Sequence, residues 1–288
     1  MKANARAGKR RTRASTSTST RQMRKAMYIS IENLARDSWR LVEAAEILKR
    51  GGVGVIPTDT CYTFACDLMS RKGLERIMQI KSQQIRRKPL SLLCKDISSI
   101  STYTNGISKT MFKIMKASLP GPFTFILPSN NEVREVPRML MDHKQLKKTW
   151  KRREIGVRIP DSPILTELLT QLDGPVLCTS VPSIGREFQD EAGWGRAGPG
   201  YSDVDWRRDD SEEEDEAGDE WDWGEKWGDD AFVSGDPAAI DRTWGHAVDF
   251  VVDAGFLEVK GFSTVVDALG PEPIVIREGL GDPSLINK

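Results

Sequence analysis

The sequence predicts an α/β or α+β domain built on a twisted mixed β-sheet with flanking helices. Three observations lead there. Short runs rich in Val, Ile and Phe recur along the chain, amphipathic helical periods lie among them, and the two kinds do not alternate one to one, which argues against a barrel. With 288 residues, of which 39% are apolar and 29% charged, the composition is that of a globular chain.

The elements follow in order. Residues 27–31 alternate like a short strand, and Asp37 is the expected N-cap of a helix with Leu41, Ala44, Ala45 and Leu48 on one face. Gly51 and Gly52 stop it. Strands are expected at 53–57 and 63–68, then a helix from about Arg71 marked by Leu74, Ile77, Met78 and Lys81. A strand at 89–94, a helix at 108–118 and a strand at 123–127 come next, the last bounded by Pro120, Pro122 and Pro128. Further strands are expected at 155–159, 176–179, 247–252, 264–266 and 274–277, with helices at 163–171 and 237–244.

Charge divides the chain. The 42 basic and 42 acidic residues cancel, yet residues 1–30 hold Lys2, Arg6, Lys9, Arg10, Arg11, Arg13, Arg21, Arg24 and Lys25 and no acid. Residues 1–26 are therefore read as a disordered basic tail or as an organellar transit peptide, which would place the protein in a plastid (a chloroplast) or mitochondrion and otherwise leave it cytoplasmic. Residues 190–234 show no apolar period and include the runs SEEEDEAGDE and WDWGEKWGDD, so they are expected to be a disordered acidic insertion within one domain spanning 27–284. The insertion carries Trp194, Trp206, Trp221, Trp223 and Trp227, an aromatic and acidic mixture that suits a protein partner or a competitor for a basic groove; an unselected low-complexity tract is the alternative.

Several chemistries are disfavoured. Only His143 and His246 are present, too few for a histidine metal cluster or a nucleophile with a histidine base and its orienter. Cys61, Cys66, Cys94 and Cys178 contain no C-x-x-C pair and read as buried free thiols in a reducing compartment. No apolar run approaches the ~18 residues that cross a bilayer, so no membrane partner is expected. Asp59, Asp267 and Asp282 could reach a magnesium ion, but their spacing is not that of a metal cage.

Three polar constellations remain. Pro57-Thr58-Asp59-Thr60-Cys61-Tyr62 follows a buried-type strand, where a sheet mouth binds ligands; a Thr or Asx turn is the plain alternative. Arg158 and Arg277 sit inside otherwise apolar strands, a position that calls for a partner or an anion. Pro120-Gly121-Pro122-Phe123-Thr124 exposes backbone amides beside a hydroxyl, a possible phosphate cradle.

In this order the pieces resemble the YrdC family, whose better-known members make threonylcarbamoyl-AMP for tRNA modification. The resemblance rests on Pro57 to Tyr62, Lys88-Pro89-Leu90, Pro120 to Thr124, Gly156-Val157-Arg158-Ile159-Pro160, Thr179-Ser180, Ser263-Thr264-Val265-Val266-Asp267 and Arg277-Glu278-Gly279. Ser101-Thr102-Tyr103 followed by 120–127 is similar to the YciO branch. It implies a YrdC-like (DHBP synthase RibB-like) fold that binds a nucleotide and double-stranded RNA or tRNA. The implied chemistry takes ATP as substrate with Mg2+, threonine and bicarbonate, with no protein-bound metal. On that analogy Thr58, Thr60 and Tyr62 bind the amino acid, Thr124, Arg158, Ser180 and Arg277 line the nucleotide, and Lys81 is the catalytic cation.

Three positions depart from the family pattern. Gln83 stands where its K-x-R element has arginine, and Pro182 where its S-x-N element has asparagine; Thr63 replaces a usual glycine. The spacing from Lys81 to Pro89-Leu90 is one residue longer, and Arg86 or Arg87 could reach in from that loop. Separately, Lys144, Lys147, Lys148, Lys151, Arg152 and Arg153 surround Trp150, a charge density and stacking surface suited to RNA, or to pairing with the acidic insertion.

Overall fold

The structure is a computed structural model that describes residues 25–82, 90–130, 154–182, 234–258 and 261–286. The strands are β1 (Met27–Ser30), β2 (Val53–Pro57), β3 (Tyr62–Asp67), β4 (Ser91–Leu93), β5 (Phe123–Pro128), β6 (Glu154–Arg158), β7 (Val176–Ser180), β8 (Phe250–Asp253), β9 (Thr264–Asp267) and β10 (Ile274–Arg277). They form one 10-stranded sheet in the order β1-β8-β2-β3-β7-β4-β6-β5-β9-β10. Pairings are parallel for β1 with β8, β2 with β8, β4 with β6 and β5 with β9, and antiparallel elsewhere. This is the mixed sheet expected from intermixed strands and helices.

The helices are α1 (Leu34–Asp37), α2 (Leu41–Lys49), α3 (Arg71–Ser82), α4 (Ile97–Tyr103), α5 (Lys109–Ser118), α6 (Pro163–Thr170) and α7 (Pro237–Trp244). Alternation along each strand sends apolar residues to both faces. On one face Leu41, Leu48, Leu165 and Leu169 of α2 and α6 bury Ile56, Ala65, Cys178 and Phe250. On the other, Leu74 and Ile77 of α3, Met111 and Met115 of α5 and Trp244 of α7 cover Tyr62, Phe64, Val157 and Phe125. Each fully buried Leu, Ile or Phe contributes about 1.5–3 kcal/mol. Gly54 is where a Cβ would meet the Phe250 ring at 2.0 Å, so the ring lies flat over a glycine.

Several expectations are corrected. The first helix opens at Asn33, whose side chain caps Ala35 N, and Asp37 closes that turn by accepting from Asn33 N at 3.0 Å. A 3-10 turn at Ser38–Arg40 then leads into α2. Helix α4 was not foreseen, because Ile97 to Tyr103 is polar and β-branched; the Asp96 carboxylate, accepting from Ser99 N at 2.7 Å, starts it. The expected strand at 247–252 begins only at Phe250, since Ala247 still closes a turn onto Trp244 O. All four cysteines are free and buried. Residues 1–24, residues 83–89, the basic cluster from Lys144 to Arg153 and nearly all of the acidic stretch 190–234 lie outside the described residues.

Candidate functional site: an arginine and hydroxyl pocket

The turn between β2 and β3 builds one wall. Thr58 Oγ1 donates to Cys61 O at 2.7 Å and accepts from the N–H groups of Thr60 and Cys61. The Thr58 and Thr60 hydroxyls stand 3.1 Å apart. The Thr60 oxygen accepts from Arg158 Nη2 at 3.0 Å. Thr58 and Thr60 are buried and act as the frame of the turn.

Arg158, the last residue of β6, is 5% exposed. Its Nη2 donates to Asp59 Oδ1 at 2.9 Å, and Asp59 Oδ2 accepts from Asp161 N at 3.1 Å. Burial pushes the Asp59 carboxyl above the usual carboxylate range, against the pull of Arg158 and of the Asp161 N–H. The floor lies on the alternate positions of β4, β6 and β5. A Cβ at Gly156 would sit 2.9 Å from Ser91 Oγ and 3.2 Å from Thr124 Cγ2, so glycine keeps the space between them open.

The far wall is β10 and the segment entering β9. Thr124 and Ser263 share a 2.7 Å hydroxyl contact, and Arg277 Nη2 donates to Ser263 O at 2.9 Å. The Arg277 guanidinium lies over the Phe262 ring, 5.1 Å from its centroid. Burial, and then the nearby Arg158 charge, lower the Arg277 pKa to about 10, while Cys61 acts the other way. Neither Arg158 Nε nor Arg277 Nε finds a partner among the described residues. Two guanidinium groups thus lie near each other beside the Thr60, Thr124 and Ser263 hydroxyls, each with an Nε that has no partner among the described residues, and Arg158 alone of the two is paired with Asp59 in that set.

The structure thus brings together Thr58, Thr60, Arg158, Arg277 and Thr124. Ser180 stands at the end of β7, Cα-paired with Thr63. Tyr62 is a correction: its ring is fully buried in the core, and its hydroxyl donates to Gly255 O at 2.8 Å and accepts from Ala254 N at 3.0 Å, which leaves it no surface for an amino acid. Lys81 stands on the last turn of α3, and its side chain lies outside what the structure describes. The three aspartates considered for magnesium are occupied by protein donors: Asp59 by Arg158, Asp267 by Leu269 N, and Asp282 by Ser284 N. Among the described residues no three His, Cys, Asp or Glu side chains group to hold a metal. Ser91 and Phe262 carry no pattern in the sequence, because a small hydroxyl or a lone ring has none until the strands are paired; Ser263 enters there only as the first residue of the Ser263 to Asp267 motif.

Three comparisons bear on this pocket. The family model Sua5_yciO_yrdC, described as "Telomere recombination", matches residues 46–192. Over 240 residues the chain is 31% identical to the uncharacterized protein YciO of Escherichia coli K12, covering 83% of this chain and 89% of that protein. It is 28% identical to a threonylcarbamoyl-AMP synthase of Pseudomonas fluorescens over 149 residues, 52% of this chain and 74% of the synthase. The crystal structure of E. coli YciO superposes with a TM-score of 0.62 and 27% identity, covering 91% of this chain and 98% of YciO. The P. abyssi Sua5 structure complexed with L-threonine shares the fold, with a TM-score of 0.61 at 17% identity over 88% of this chain and 58% of Sua5. A mixed sheet in this strand order, the motif residues gathered at its polar floor and these similarities together establish that the chain belongs to the Sua5–YciO–YrdC family.

Proposed function

We propose that the pocket binds the polyphosphate of ATP and supports L-threonylcarbamoyladenylate synthase-type chemistry that serves threonylcarbamoyladenosine modification of tRNA. The observation that carries this reading is the pair Arg158 and Arg277, two guanidinium groups whose Nε donors have no partner among the described residues, with Asp59 paired to Arg158. The similarity to threonylcarbamoyl-AMP synthases supports it. The threonine amine and bicarbonate condense to a carbamate and water. A carbamate oxygen then forms a bond to the ATP α-phosphorus, the bond to the bridging oxygen breaks, and pyrophosphate leaves with that electron pair. Fixed cations and hydroxyl donors suit this reaction because they oppose the charge that builds on the leaving phosphates. Magnesium arrives on the polyphosphate.

Gln83 replaces a fixed cation of the family pattern by a neutral amide and Pro182 removes an amide side chain, so the native rate is expected to be low. The test is pyrophosphate release from ATP, threonine, bicarbonate and magnesium by the native chain and by a Gln83→Arg/Pro182→Asn variant. Turnover that rises at least tenfold in the variant is the expected result; no release from either protein, together with no ATP binding, sinks the reading.

RNA contact is part of the same proposal. On α5 the exposed Lys109, Lys113 and Lys116 lie on the side of Phe112, which is 44% exposed, and the lysines have no ion-pair partner among the described residues. No acid occurs between Ile97 and Asn130. Lysines at this spacing with an aromatic beside them suit a phosphate backbone, alongside the cluster around Trp150. A Lys109→Glu/Lys113→Glu/Lys116→Glu variant should weaken tRNA binding at low salt and flatten its salt dependence.

A second reading is favoured by one contact. Ser234 N donates to Val181 O at 3.1 Å, so the described residues on either side of 183–233 meet. A stretch joined to the domain at adjacent ends can serve a protein partner without altering the fold, and its acids and tryptophans suit one. Partner recovery lost on deleting 190–234, with ATP binding unchanged, would establish that role. The N-terminal residues 1–26 direct the protein to a plastid or mitochondrion in this reading; a fluorescent fusion of those residues that stays cytoplasmic would overturn it.

A further inference from the structure

We propose that Asp59 is a positioning residue for anion binding: it fixes the Arg158 guanidinium so that its remaining donors point to the ligand. The inference rests on the pocket taking a polyphosphate. Asp59 sits in the turn between β2 and β3, with its side chain 9% exposed. Its two oxygens do different work. Oδ1 accepts from Arg158 Nη2 at 2.9 Å, and Oδ2 accepts from Asp161 N at 3.1 Å, just before Ser162, whose side chain accepts from Leu165 N as the N-cap of α6. One carboxylate thus ties the turn after β2 to the turn after β6, the two segments that flank Arg158.

The grip is one-sided. Nη2 is shared between Asp59 and Thr60, while Nε has no partner among the described residues. An arginine held by one nitrogen keeps the rest of its planar fork oriented, and a pre-ordered fork loses less freedom when it takes a phosphate. Charge works the other way. A carboxylate 2.9 Å from the guanidinium weakens its attraction for an anion, so removing Asp59 would tighten anion binding if electrostatics alone decided. Orientation and charge therefore predict opposite signs for the same substitution.

The experiment measures pyrophosphate affinity by titration calorimetry on the full chain, with the thermal midpoint of each variant alongside. Asp59→Ala is expected to bind about tenfold more weakly, whereas Asp59→Asn, which keeps an oxygen for Arg158, stays within about threefold of native. The loss should vanish in an Arg158→Met background, because Asp59 acts through that side chain. Asp59→Ala binding as tightly as native, or more tightly, would make Asp59 a counter-charge only, and a loss that persists without Arg158 would make it a fold residue; either overturns the proposal. Should Asp59→Ala fail to fold, Asp59→Asn decides, since a gain of tenfold or more on losing the charge is equally fatal. A native chain that binds no pyrophosphate overturns the pocket reading and this role together, while native binding with an unweakened Asp59→Ala overturns this role alone.

Discussion

Arg277 shows what a ligand would do for an isolated side chain. Its guanidinium is held partly out of water, over Phe262 and near Arg158, with its pKa lowered to about 10, so burial and the neighbouring cation disfavour the charge it carries. Arg277→Met is accordingly expected to raise the stability of the ligand-free protein, by on the order of 1 kcal/mol, and to abolish the stabilisation that pyrophosphate gives the native chain. Thermal midpoints with and without pyrophosphate check both parts. Gly279, two residues on, has no room for a side chain: a Cβ would lie 2.4 Å from Phe262 O and 2.6 Å from Ser263 C, both backbone atoms. Gly279→Ala should displace the turn that carries Arg277 and reduce pyrophosphate affinity more than tenfold, read by the same calorimetry. Both residues belong to the Arg277-Glu278-Gly279 motif, yet only the approach of Phe262 and Ser263 explains why the last must be glycine.

At the scale of elements, α1 and α7 carry the clearest tests. Asp37 accepts from Asn33 N and from Arg36, and these bonds hold its carboxyl below the usual range. A carboxyl lowered in the folded state adds stability above the unfolded value of about 3.9, and that contribution disappears as pH falls through the lowered folded value. Asp37→Asn should therefore melt below native at pH 7, with the gap closing toward pH 2 to 3 in thermal scans. Helix α7 is held by Trp244, whose ring meets Phe64 edge-on at 5.4 Å between centroids. Trp244→Ala should cost about 3–5 kcal/mol, measured by denaturant unfolding, because the cavity lies between α7 and β3 and neither can close it. The expected bounds for α7 coincide with those observed, since Asp236 caps it and Pro237 starts it, signals written locally in the chain. Helix α4 lacked such apolar periodicity, and its packing through Ile100 against the core supplied what the pattern did not.

At the scale of the molecule, the contact that brings Val181 and Ser234 together is the informative feature. Because Ser234 N already reaches Val181 O, replacing 190–233 by a short Gly-Ser link should leave the thermal midpoint within a few degrees of native. If the acids in that segment compete for the basic surface, the shortened protein should bind tRNA more tightly at low salt, with the difference narrowing as salt rises; band-shift titrations at two salt concentrations read this directly. Unaltered RNA binding would leave the segment to a protein partner.

Local patterning was enough to determine the strands, most helices, the separation of charge into a basic start and an acidic insertion, and the motif order that marks the family. Those features depend on neighbours in sequence: apolar period, capping residues, proline and glycine. The pocket could not be read in the same way. Asp59 and Arg158 are 99 positions apart and Thr124 and Ser263 139; the first pair meets because the turn after β2 lies against the end of β6, the second because β5 pairs with β9. Tyr62 makes the same point in reverse, for its motif suggested a ligand contact while the strand alternation turned its ring into the core. Tertiary structure decided which polar residues meet and which are consumed internally, because the desolvation felt by Arg158 and, in part, by Arg277 arises only when the sheet has closed around them.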